Sequence, residues 1–514
     1  MLLSKSKLLC QNTALILKNK HSWTLPIGND TSINIFNCVT KKKEPLIVTN
    51  KEAVTWYTCG PTVYDSAHIG HASCYVKVDI IQRILKQHFG LNLITCMNVT
   101  DIDDKIIKRA GELKVDYQEL SRKYEKEFWN DLKSLSICEP NIIVRVTENI
   151  PLIISFIKQL IQHGAAYKAS DNSIYFDVSK SPYPPGKLQN ISEDYPDSTN
   201  PHKKSPADFA LWKSTKYDGE PHFISPWGKG RPGWHIECSA LASHIFGSEI
   251  DIHAGGLDLR FPHHENEEIQ SCVFHGKCQW VNYWLHIGHL HFKDSVKMSK
   301  SLKNTLSIED MLKSTKPEVF RMACAKGRYT TSMEFNSDLL ETATNSLNMF
   351  KNFIVTITEV KRGIIKPCLN NIVLAELLAT SVKDIHTAFC DGFNTPHVMQ
   401  VLNNIVSKIN SMLHSSTNSA ENFCEMHYLL GLTNVVINTL GMFGIDLIGS
   451  KSVIQSDGES ELIDLLVSFR QDVRNLGLAD KNVDILTLCD NLRDKLKSHG
   501  LTVKDHGKVS SWSR

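Results

Sequence analysis

Two histidines near the start of the chain have the spacing of a phosphate-binding turn. His68, Gly70 and His71 follow a β-rich run at residues 54–57 and a turn signal at residues 59–61. A helix that begins here offers unpaired N–H groups and the positive end of its dipole to an anionic phosphoryl group. Residues three apart share a helical face, so both imidazoles can donate to one phosphate, and the glycine between them leaves space for a nucleotide. Alone, this element is equally typical of core packing.

A lysine-rich element lies about 230 residues further along, at residues 297–301 (KMSKS). Lys297 and Lys300 bracket small hydroxyl residues, and Lys293 and Lys303 lie nearby. A loop of this kind can neutralise the charge that develops on a leaving pyrophosphate. By itself it is just as typical of a solvated basic loop, so its value depends on the histidine pair that precedes it.

Cysteine, histidine and glutamate side chains predict a metal site. His263 and Glu267 are four residues apart at an expected helix start, so both project from one face. Cys59 and Cys238 can add thiolates from distant loops, and thiolates favour zinc over magnesium or calcium. Zinc held by four protein ligands is most often structural. Two neighbouring side chains are alternative ligands: His264 and Glu265.

These side chains need elements that hold them together, and the hydrophobic pattern predicts a βαβ unit around the histidines. A helical pattern runs from Ala67 to a stop at Gly90, and alternating apolar residues at 91–99 predict the next strand. Strand, helix and strand within about fifty residues imply a parallel sheet with a ligand site at its carboxyl edge.

Three further segments complete the predicted pattern of elements. Thr147 is placed to cap a helix that ends at Gly164, and residues 173–178 predict a strand. Beyond about Asn336, amphipathic helix patterns dominate. One of these patterns is carried by apolar residues that share a face: Leu462, Leu465, Leu466 and Phe469.

The composition excludes several classes of protein. The 514 residues suffice for three or four domains, and 42% apolar with 22% charged residues exclude a disordered or fibrous chain. Because 57 basic residues face 55 acidic ones, any contact with nucleic acid must use local patches. Fourteen scattered cysteines indicate reduced thiols. The longest uncharged stretch, residues 427–445, contains too much glycine and asparagine for a bilayer span, which predicts a soluble protein without membrane contact.

The first 29 residues differ from the rest of the chain. They contain four lysines and no acidic residue, with serine, threonine and leucine between them. This composition is typical of an organellar transit peptide, and a disordered tail on a cytosolic protein is the alternative. Without this segment the chain has 53 basic and 55 acidic residues, so the mature protein would be slightly acidic.

The order of the two phosphate motifs resembles that of class I aminoacyl-tRNA synthetases, and the sequence segments around them resemble those of cysteinyl-tRNA synthetase. The likeness extends from about residue 30 to Trp512. The segments that carry it are residues 59–65 (CGPTVYD), 98–105 (NVTDIDDK), 208–213 (DFALWK), 231–238 (RPGWHIEC), 255–258 (GGLD), 261–267 (FPHHENE) and 393–396 (FNTP).

The resemblance implies an α/β fold: a class I Rossmann-type catalytic domain with a parallel sheet and an inserted connective domain, followed by an α-helical tRNA- and anticodon-binding region. The implied boundaries are a mitochondrial transit peptide (1–29), the first half of the Rossmann domain (30–144), the connective insertion (145–228), the second half of the Rossmann domain (229–292), a lysine-loop stem-contact region (293–338), a helical anticodon-binding domain (339–465) and a C-terminal tRNA-binding region (466–514).

The resemblance also implies a role for each candidate residue. The catalytic groups would be His68, His71, Lys297 and Lys300. The ATP-binding residues would be these four together with Gly70, Gly255, Gly256 and Asp258. The cysteine pocket would be formed by Gly60, Thr100, Trp234 and His253. The metal ligands would be Cys59, Cys238, His263 and Glu267.

The implied reaction joins L-cysteine to tRNA(Cys) through a cysteinyl-adenylate, with ATP and Mg²⁺, in the mitochondrial matrix. One Zn²⁺ per chain would select cysteine over serine, because a thiol with a pKa of about 8.5 ionises on coordination whereas a hydroxyl does not. A hydrophobic pocket alone separates such near-isosteres poorly. The oligomeric state stays open, with a monomer slightly favoured.

Four other functions are compatible with parts of this sequence. An ATP-dependent cysteine:small-amine ligase on a related core would lack the helical region that follows Asn336. A zinc hydrolase using His263, His264 and Glu267 would leave the phosphate motifs unexplained, and a non-enzymatic RNA-binding protein would not need them. The family is also associated with pyridoxal-phosphate-dependent cysteine persulfide synthesis through lysine pairs. Two such pairs occur here, Lys105 with Lys108 and Lys297 with Lys300.

Overall fold

The chain is described by a computed structural model that forms two compact units. The first unit contains Met1–Ala343, Ile385–Met399 and Met442–Gly444, and the second contains Thr344–Asp384, Gln400–Gly441 and Ile445–Arg514. The candidate residues Lys297 and Lys300, and the predicted transit peptide up to residue 22, lie outside the described residues. The described residues are 23–181, 185–189, 199–292, 306–365, 369–415, 426–448, 457–506 and 509–513.

The strands, in chain order, are β1 (Asn29–Asn37), β2 (Lys42–Val48), β3 (Val54–Thr58), β4 (Leu93–Val99), β5 (Ile142–Arg145), β6 (Ala166–Lys168), β7 (Ile174–Phe176), β8 (Phe209–Ser214), β9 (Phe223–Ser225), β10 (Gly228–Pro232), β11 (Ile250–Gly256), β12 (Val281–Ile287), β13 (Leu290–His291), β14 (Met333–Glu334), β15 (Thr502–His506) and β16 (Val509–Ser513).

The α-helices are α1 (Ile69–Gln87), α2 (Asp104–Leu113), α3 (Tyr117–Ser134), α4 (Ile150–Gln162), α5 (Trp234–Phe246), α6 (Glu265–His275), α7 (Ile308–Ser314), α8 (Pro317–Ala325), α9 (Ser337–Lys361), α10 (Asn371–Cys390), α11 (Thr395–Ser415), α12 (Met426–Met442), α13 (Asp457–Ala479) and α14 (Val483–Ser498).

A five-stranded parallel sheet with the order β12-β11-β3-β4-β5 forms the centre of the first unit. Every residue of β12 is buried, as expected when both faces of a parallel sheet are covered. The predicted βαβ unit is confirmed as β3, α1 and β4. Because all five strands run the same way, the residues that follow β3, β4 and β11 meet at one edge of the sheet.

A second five-stranded sheet, with the order β6-β7-β8-β10-β9, lies in the chain between β5 and β11. Its core includes Ile153 and Phe156 of α4 together with Phe176 and Trp212. The strand predicted at 173–178 is confirmed in shorter form as β7. The predicted cap was wrong: α4 begins at Ile150 after a 3₁₀ turn, Thr147–Asn149.

Thr147 cannot cap α4 because its polar groups are engaged elsewhere. Its backbone N–H donates to one oxygen of the Asp101 carboxylate at 2.9 Å, and its hydroxyl donates to the other at 2.5 Å. These bonds connect the segment after β4 to the segment after β5. The helix does end as predicted, since Gly164 adopts a positive φ of 70° just after it.

The second unit is mainly helical, which confirms the helix patterns predicted beyond Asn336, and it ends in an antiparallel hairpin of β15 and β16 that was not predicted. The amphipathic pattern noted at residues 462–469 lies on helix α13, but its apolar stripe is exposed. Leu465 and Phe469 are 68% and 67% exposed, whereas Ile463 and Val467 are buried against Val503 of β15. The helix therefore uses a face adjacent to its main apolar stripe. Within the described residues, no helix is both long enough and apolar enough to cross a bilayer.

Candidate active site and metal centre

A cavity of about 280 Å³ opens at the carboxyl edge of the parallel sheet in the first unit. Three of the predicted residues lie outside its lining: Gly255, His253 and Glu267. His253 and Glu267 lie beneath it, fully buried. The predicted residues that line the cavity are Cys59, Gly60, His68, Gly70, His71, Thr100, Trp234, Cys238, Gly256, Asp258 and His263.

The histidine pair occupies the first turn of α1. The His68 and His71 rings stack with their centroids 3.8 Å apart, and His71 Nδ1 accepts the backbone N–H of His68 at 3.3 Å. A neutral His71 therefore carries its proton on Nε2, where it can donate to a ligand. A Cβ atom on Gly70 would lie 2.9 Å from the His68 ring, so a side chain at this position would displace that ring.

Four buried side chains bring their ligand atoms within 4.8 Å of one another: Cys59, Cys238, His263 and Glu267. The Sγ atoms of the two cysteines are 3.7 Å apart, and His263 Nε2 lies 2.9 Å from Glu267 Oε1. Tetrahedral zinc with Zn–S bonds of about 2.3 Å would place two sulfur atoms about 3.8 Å apart. A disulfide would need about 2 Å. The donor set and its spacing therefore fit zinc.

The charges of these four groups are strongly coupled. A hydrogen bond from Cys59 lowers the pKa of Cys238 to about 6 against the effect of burial, while burial raises the pKa of Cys59 well above its ordinary value. Burial opposes ionisation of His263 and Glu267, but their mutual attraction outweighs it: the pKa of His263 rises to about 10 and that of Glu267 falls to about 2. A metal cation would displace the protons from Cys59 and His263.

The two alternative ligands have different positions. His264 Nε2 lies 3.4 Å from Cys59 Sγ, and His264 belongs to a second compact group with Cys59, His253 and Glu267. It therefore remains an alternative. The Glu265 carboxylate turns away and accepts three backbone N–H groups at 2.8–2.9 Å, from residues 186–188.

A ring of contacts outside the ligands orients them. His263 Nδ1 lies 3.0 Å from Nδ1 of His235, and the Trp234 ring stacks on the His263 ring at a centroid distance of 4.3 Å. His253 Nε2 lies 3.0 Å from Glu267 Oε2. A metal-ligating histidine usually donates its other ring nitrogen to a partner, which His235 supplies. Sequence reasoning missed His235, although it lies inside the quoted segment 231–238.

The opposite side of the cavity is shaped for a nucleotide. A Cβ atom on Gly256 would lie 2.5 Å from Asp258 Oδ1, and one on Gly255 would lie 2.8 Å from the His264 ring. The Asp258 side chain is 42% exposed and its Oδ1 lies 3.4 Å from His289 Nε2. A half-exposed carboxylate beside a glycine pair is a suitable acceptor for ribose hydroxyls.

Comparison with known proteins identifies the family. Residues 46–345 match the family model described as tRNA synthetases class I (C) catalytic domain. A Xenopus tropicalis protein named "Probable cysteine--tRNA ligase, mitochondrial" is 39% identical and aligns over 95% of this chain and 91% of its own length. A Dictyostelium discoideum protein named "Cysteine--tRNA ligase, cytoplasmic" is 37% identical, over 92% of this chain and 76% of its own.

Solved structures show the same fold. Mycobacterium tuberculosis methionyl-tRNA synthetase with methionyl-adenylate covers 77% of this chain and 90% of its own, with a TM-score of 0.53 and 13% identity. A putative arginyl-tRNA synthetase from Campylobacter jejuni covers 78% and 94%, with a TM-score of 0.54 and 13% identity. The class I synthetase fold is thus shown by structure and the finer relationship by sequence. The chain belongs to the cysteine–tRNA ligase family of class I aminoacyl-tRNA synthetases.

Proposed function

We propose that this chain activates L-cysteine with ATP and transfers it to tRNA(Cys). The observation that carries the proposal is the opening of two sites onto one cavity. Cys59, Cys238 and His263 of the candidate metal group line the same cavity as the His68 and His71 turn. A thiol-selective centre beside a phosphate-binding turn suits a reaction that couples cysteine to a nucleotide.

Cysteine selection would depend on the metal centre. Cys59, Cys238, His263 and Glu267 would hold one Zn²⁺, with His264 as an alternative ligand, and His235 would orient His263 through its second ring nitrogen. Bound zinc would supply a Lewis acid that takes up a thiolate and discriminates against the harder hydroxyl of serine. The chain would then need no editing step to exclude serine.

In the first step, the cysteine carboxylate attacks the α-phosphate of ATP and pyrophosphate leaves. His68 and His71 would donate to the oxygens of the α-phosphoryl group, where charge develops. Asp258 would hold the ribose, and Gly256 would allow the nucleotide to approach the backbone, while Gly255 would keep space for the His264 ring. Lys297 and Lys300 would neutralise the pyrophosphate, with Mg²⁺ accompanying ATP. Positioning and electrostatics account for most of this catalysis.

The second step would move the cysteinyl group to the terminal adenosine of tRNA(Cys). We assign the tRNA body and anticodon to residues 339–465 and 466–514, following the implied domain boundaries. The helical second unit supports a macromolecular acceptor over the cysteine:small-amine ligase alternative. The acid-free residues 1–29 and the mitochondrial name of the Xenopus relative support a mitochondrial matrix location.

Two assays on one preparation test the proposal. Cysteine-dependent ATP–pyrophosphate exchange should occur, should fall on replacing cysteine with serine, and should accompany about one zinc per chain. Charging of mitochondrial and cytosolic tRNA with radiolabelled cysteine should favour the mitochondrial pool. Exchange without charging of any tRNA would favour the amine ligase, and zinc without exchange would favour a hydrolase or a binding protein.

Persulfide synthesis remains a separate prediction. Lys105 lines the described cavity whereas Lys108 does not. Contact with phosphate or tRNA fits Lys105 better. Schiff-base absorbance after incubation with the cofactor, lost in the Lys105→Ala/Lys108→Ala double variant, would support the persulfide activity.

A further inference from the structure

Residues 23–29 form a strap that attaches to the edge strand β12 of the parallel sheet. Trp23 Nε1 donates to the carbonyl oxygen of Asn282 in β12 at 2.8 Å. The Trp23 ring also packs against the Tyr283 ring, with a centroid distance of 5.6 Å. Strand β12 is the last in the order of the sheet, so its outer edge can accept such contacts. The segment that precedes β1 is therefore part of the folded first unit.

Gln279 holds the next residue of the strap as a neighbouring strand would. The backbone N–H of Thr24 donates to Gln279 Oε1 at 3.0 Å, and Gln279 Nε2 donates to the carbonyl oxygen of Thr24 at 3.0 Å. One side-chain amide thus binds both backbone groups of a single residue, in the two-bond pattern of an antiparallel pair. Because Gln279 lies two residues before β12, this contact continues the one that Trp23 makes.

The other end of the strap is fixed against β2. A Cβ atom on Gly28 would lie 2.3 Å from the carbonyl oxygen of Val48, so only glycine permits this approach. Asn29 pairs with Val48 as the first residue of β1, and its side chain donates to the carbonyl oxygen of Thr49 at 3.3 Å. Ile27, between the two anchored ends, is 94% exposed. The strap is therefore held at its ends rather than along its length.

The strap covers a tyrosine that connects β2 to β12. The Tyr283 hydroxyl donates to the carbonyl oxygen of Pro45 at 2.7 Å and accepts the backbone N–H of Ile47 at 2.9 Å. Tyr283 is only 2% exposed, and the Trp23 ring packs on it. Strand β12 continues into residues 287–290, which line the active-site cavity. The strap therefore supports a strand that ends in the cavity wall.

Composition and contacts give different ends for the predicted transit peptide. The acid-free composition extends to residue 29, whereas all four lysines of that segment precede Trp23. Removing residues 1–22 would therefore remove the same basic charge as removing residues 1–29. The longer removal would also delete both anchors on β12, and the Asn282 carbonyl and the Gln279 amide would lose these partners.

We propose that residues 23–29 belong to the mature protein and that proteolytic removal of the transit peptide ends before Trp23. A processing peptidase hydrolyses one peptide bond there: water adds its hydroxyl to the carbonyl of the last residue removed and its proton to the new terminal amine. This inference rests on the proposed mitochondrial location, because it assumes that a transit peptide is removed. It moves the end of that peptide from residue 29 to residue 22 or earlier.

The N-terminus of the mature protein tests the processing limit. The full chain, with a purification tag at its C-terminus, is expressed in cultured cells and recovered from isolated mitochondria. Mass spectrometry then identifies the N-terminal peptide. We expect the first residue to lie after Met1 and no later than Trp23. A first residue between positions 24 and 30, or a mitochondrial protein that retains Met1, would overturn the inference.

Point variants of the full chain test whether the strap is attached in solution. Trp23→Ala and Gln279→Ala should each lower the midpoint of thermal unfolding by about 2–4 °C, because each removes one anchor. The double variant should lose less than the sum of the two, since either change releases the same end. Ile27→Ala is the matched control within the strap and should leave the midpoint unchanged, because its side chain is exposed.

Three outcomes separate the possible failures. An unchanged midpoint in both Trp23→Ala and Gln279→Ala would show that the strap is not attached, which overturns the inference. A chain found only in the cytosol with Met1 intact would overturn the proposed location together with the processing limit. Failure of the proposed reaction gives a different result, since the wild-type protein would then show no cysteine-dependent ATP–pyrophosphate exchange whatever its N-terminus.

Discussion

Helix α6 in the first unit and helix α13 in the second bury opposite kinds of residue. Along α6, the glutamates at 265, 267 and 268 are at most 1% exposed, although glutamate is rarely buried. Along α13, Leu462, Leu465 and Phe469 are at least 67% exposed, although they form its longest apolar stripe. Residue type alone would predict exposed glutamates on α6 and buried leucine and phenylalanine side chains on α13.

The difference lies in the partners that each helix finds. Every buried glutamate of α6 has its own polar partner. Glu265 accepts backbone N–H groups, Glu267 contacts two histidines, and Glu268 pairs with Lys187. Among the described side chains of α13, the buried positions are Ile463, Val467, Gly477 and one charged residue, Arg470, whose guanidinium is bound by Asp505. Polar burial therefore marks positions with specific partners, and substitution there should have large effects.

The largest effect should come from a metal ligand on α6. Glu267→Ala should reduce cysteine-dependent ATP–pyrophosphate exchange on the order of a thousandfold, because changing groups outside the ligands already costs about 10–100-fold at metal sites. Zinc content should fall with it. Cys96→Ala is the control, a buried thiol outside the described ligand groups, and should keep both. Full zinc content and full activity in Glu267→Ala would show that this buried glutamate is neither a metal ligand nor needed for the reaction.

A stability effect should follow from the neighbouring buried ion pair. Lys187 Nζ and Glu268 Oε1 are 2.5 Å apart and nearly inaccessible to solvent. Glu268→Gln should destabilise the first unit by about 3–5 kcal/mol, because it leaves a buried ammonium without its counter-charge. Denaturant unfolding measures this loss. The Lys187→Met/Glu268→Met double variant should recover much of it, and no recovery would mean that the pair does more than balance charge.

The ion pair between Arg470 of α13 and Asp505 of β15 should make the stability of the second unit depend on pH in the acid range. Burial opposes ionisation of Asp505, but hydrogen bonds from Arg470 and Ser510 lower its pKa to about 2 from 3.8. The pair therefore contributes fully above about pH 4, and its contribution is lost as the pH falls towards 2. The stability difference between the wild type and Asp505→Asn should shrink over that interval. A difference that does not change with pH would contradict this assignment.

The smallest effect should come from the exposed stripe of α13. Leu465→Ala and Phe469→Ala should change the free energy of unfolding by no more than about 0.5 kcal/mol. Ile463→Ala, on the same helix, should cost about 2–5 kcal/mol because its side chain is buried. Chemical unfolding of the three variants measures the contrast. Equal losses at positions 463 and 465 would show that the stripe is covered in solution.

The helix and strands around the His68–His71 turn could be predicted because each has a hydrophobic periodicity within its own sequence. The run at 54–57, the helix after Ala67 and the strand at 91–99 each follow from periodicity, and all three are observed. Residue types predicted a metal site, but the choice among the candidate ligands needed the family resemblance, because Cys59 and Cys238 are 179 residues apart in the sequence and only the fold brings their Sγ atoms to 3.7 Å.

Other features depended on partners that no local pattern contains. Periodicity showed that α13 is amphipathic, but which face is buried was decided by Val503 in a hairpin that the sequence analysis did not predict. Thr147 had the chemistry of a cap, yet the Asp101 carboxylate competed successfully for its hydroxyl. His235 was visible within one quoted segment, but its role depends on a contact with His263.

The stacking of Trp234 on His263 gives the centre an optical reporter. The indole lies 4.3 Å from an imidazole that would exchange a proton for a metal ion, and it is partly exposed at the cavity wall. Its fluorescence should therefore respond to metal loading and again to amino-acid binding, in solution and without a label. Several of the other eight tryptophans are fully buried, among them Trp56, Trp212 and Trp280, and they provide a steady background. Stopped-flow fluorescence could then time the filling of the pocket separately from adenylate formation.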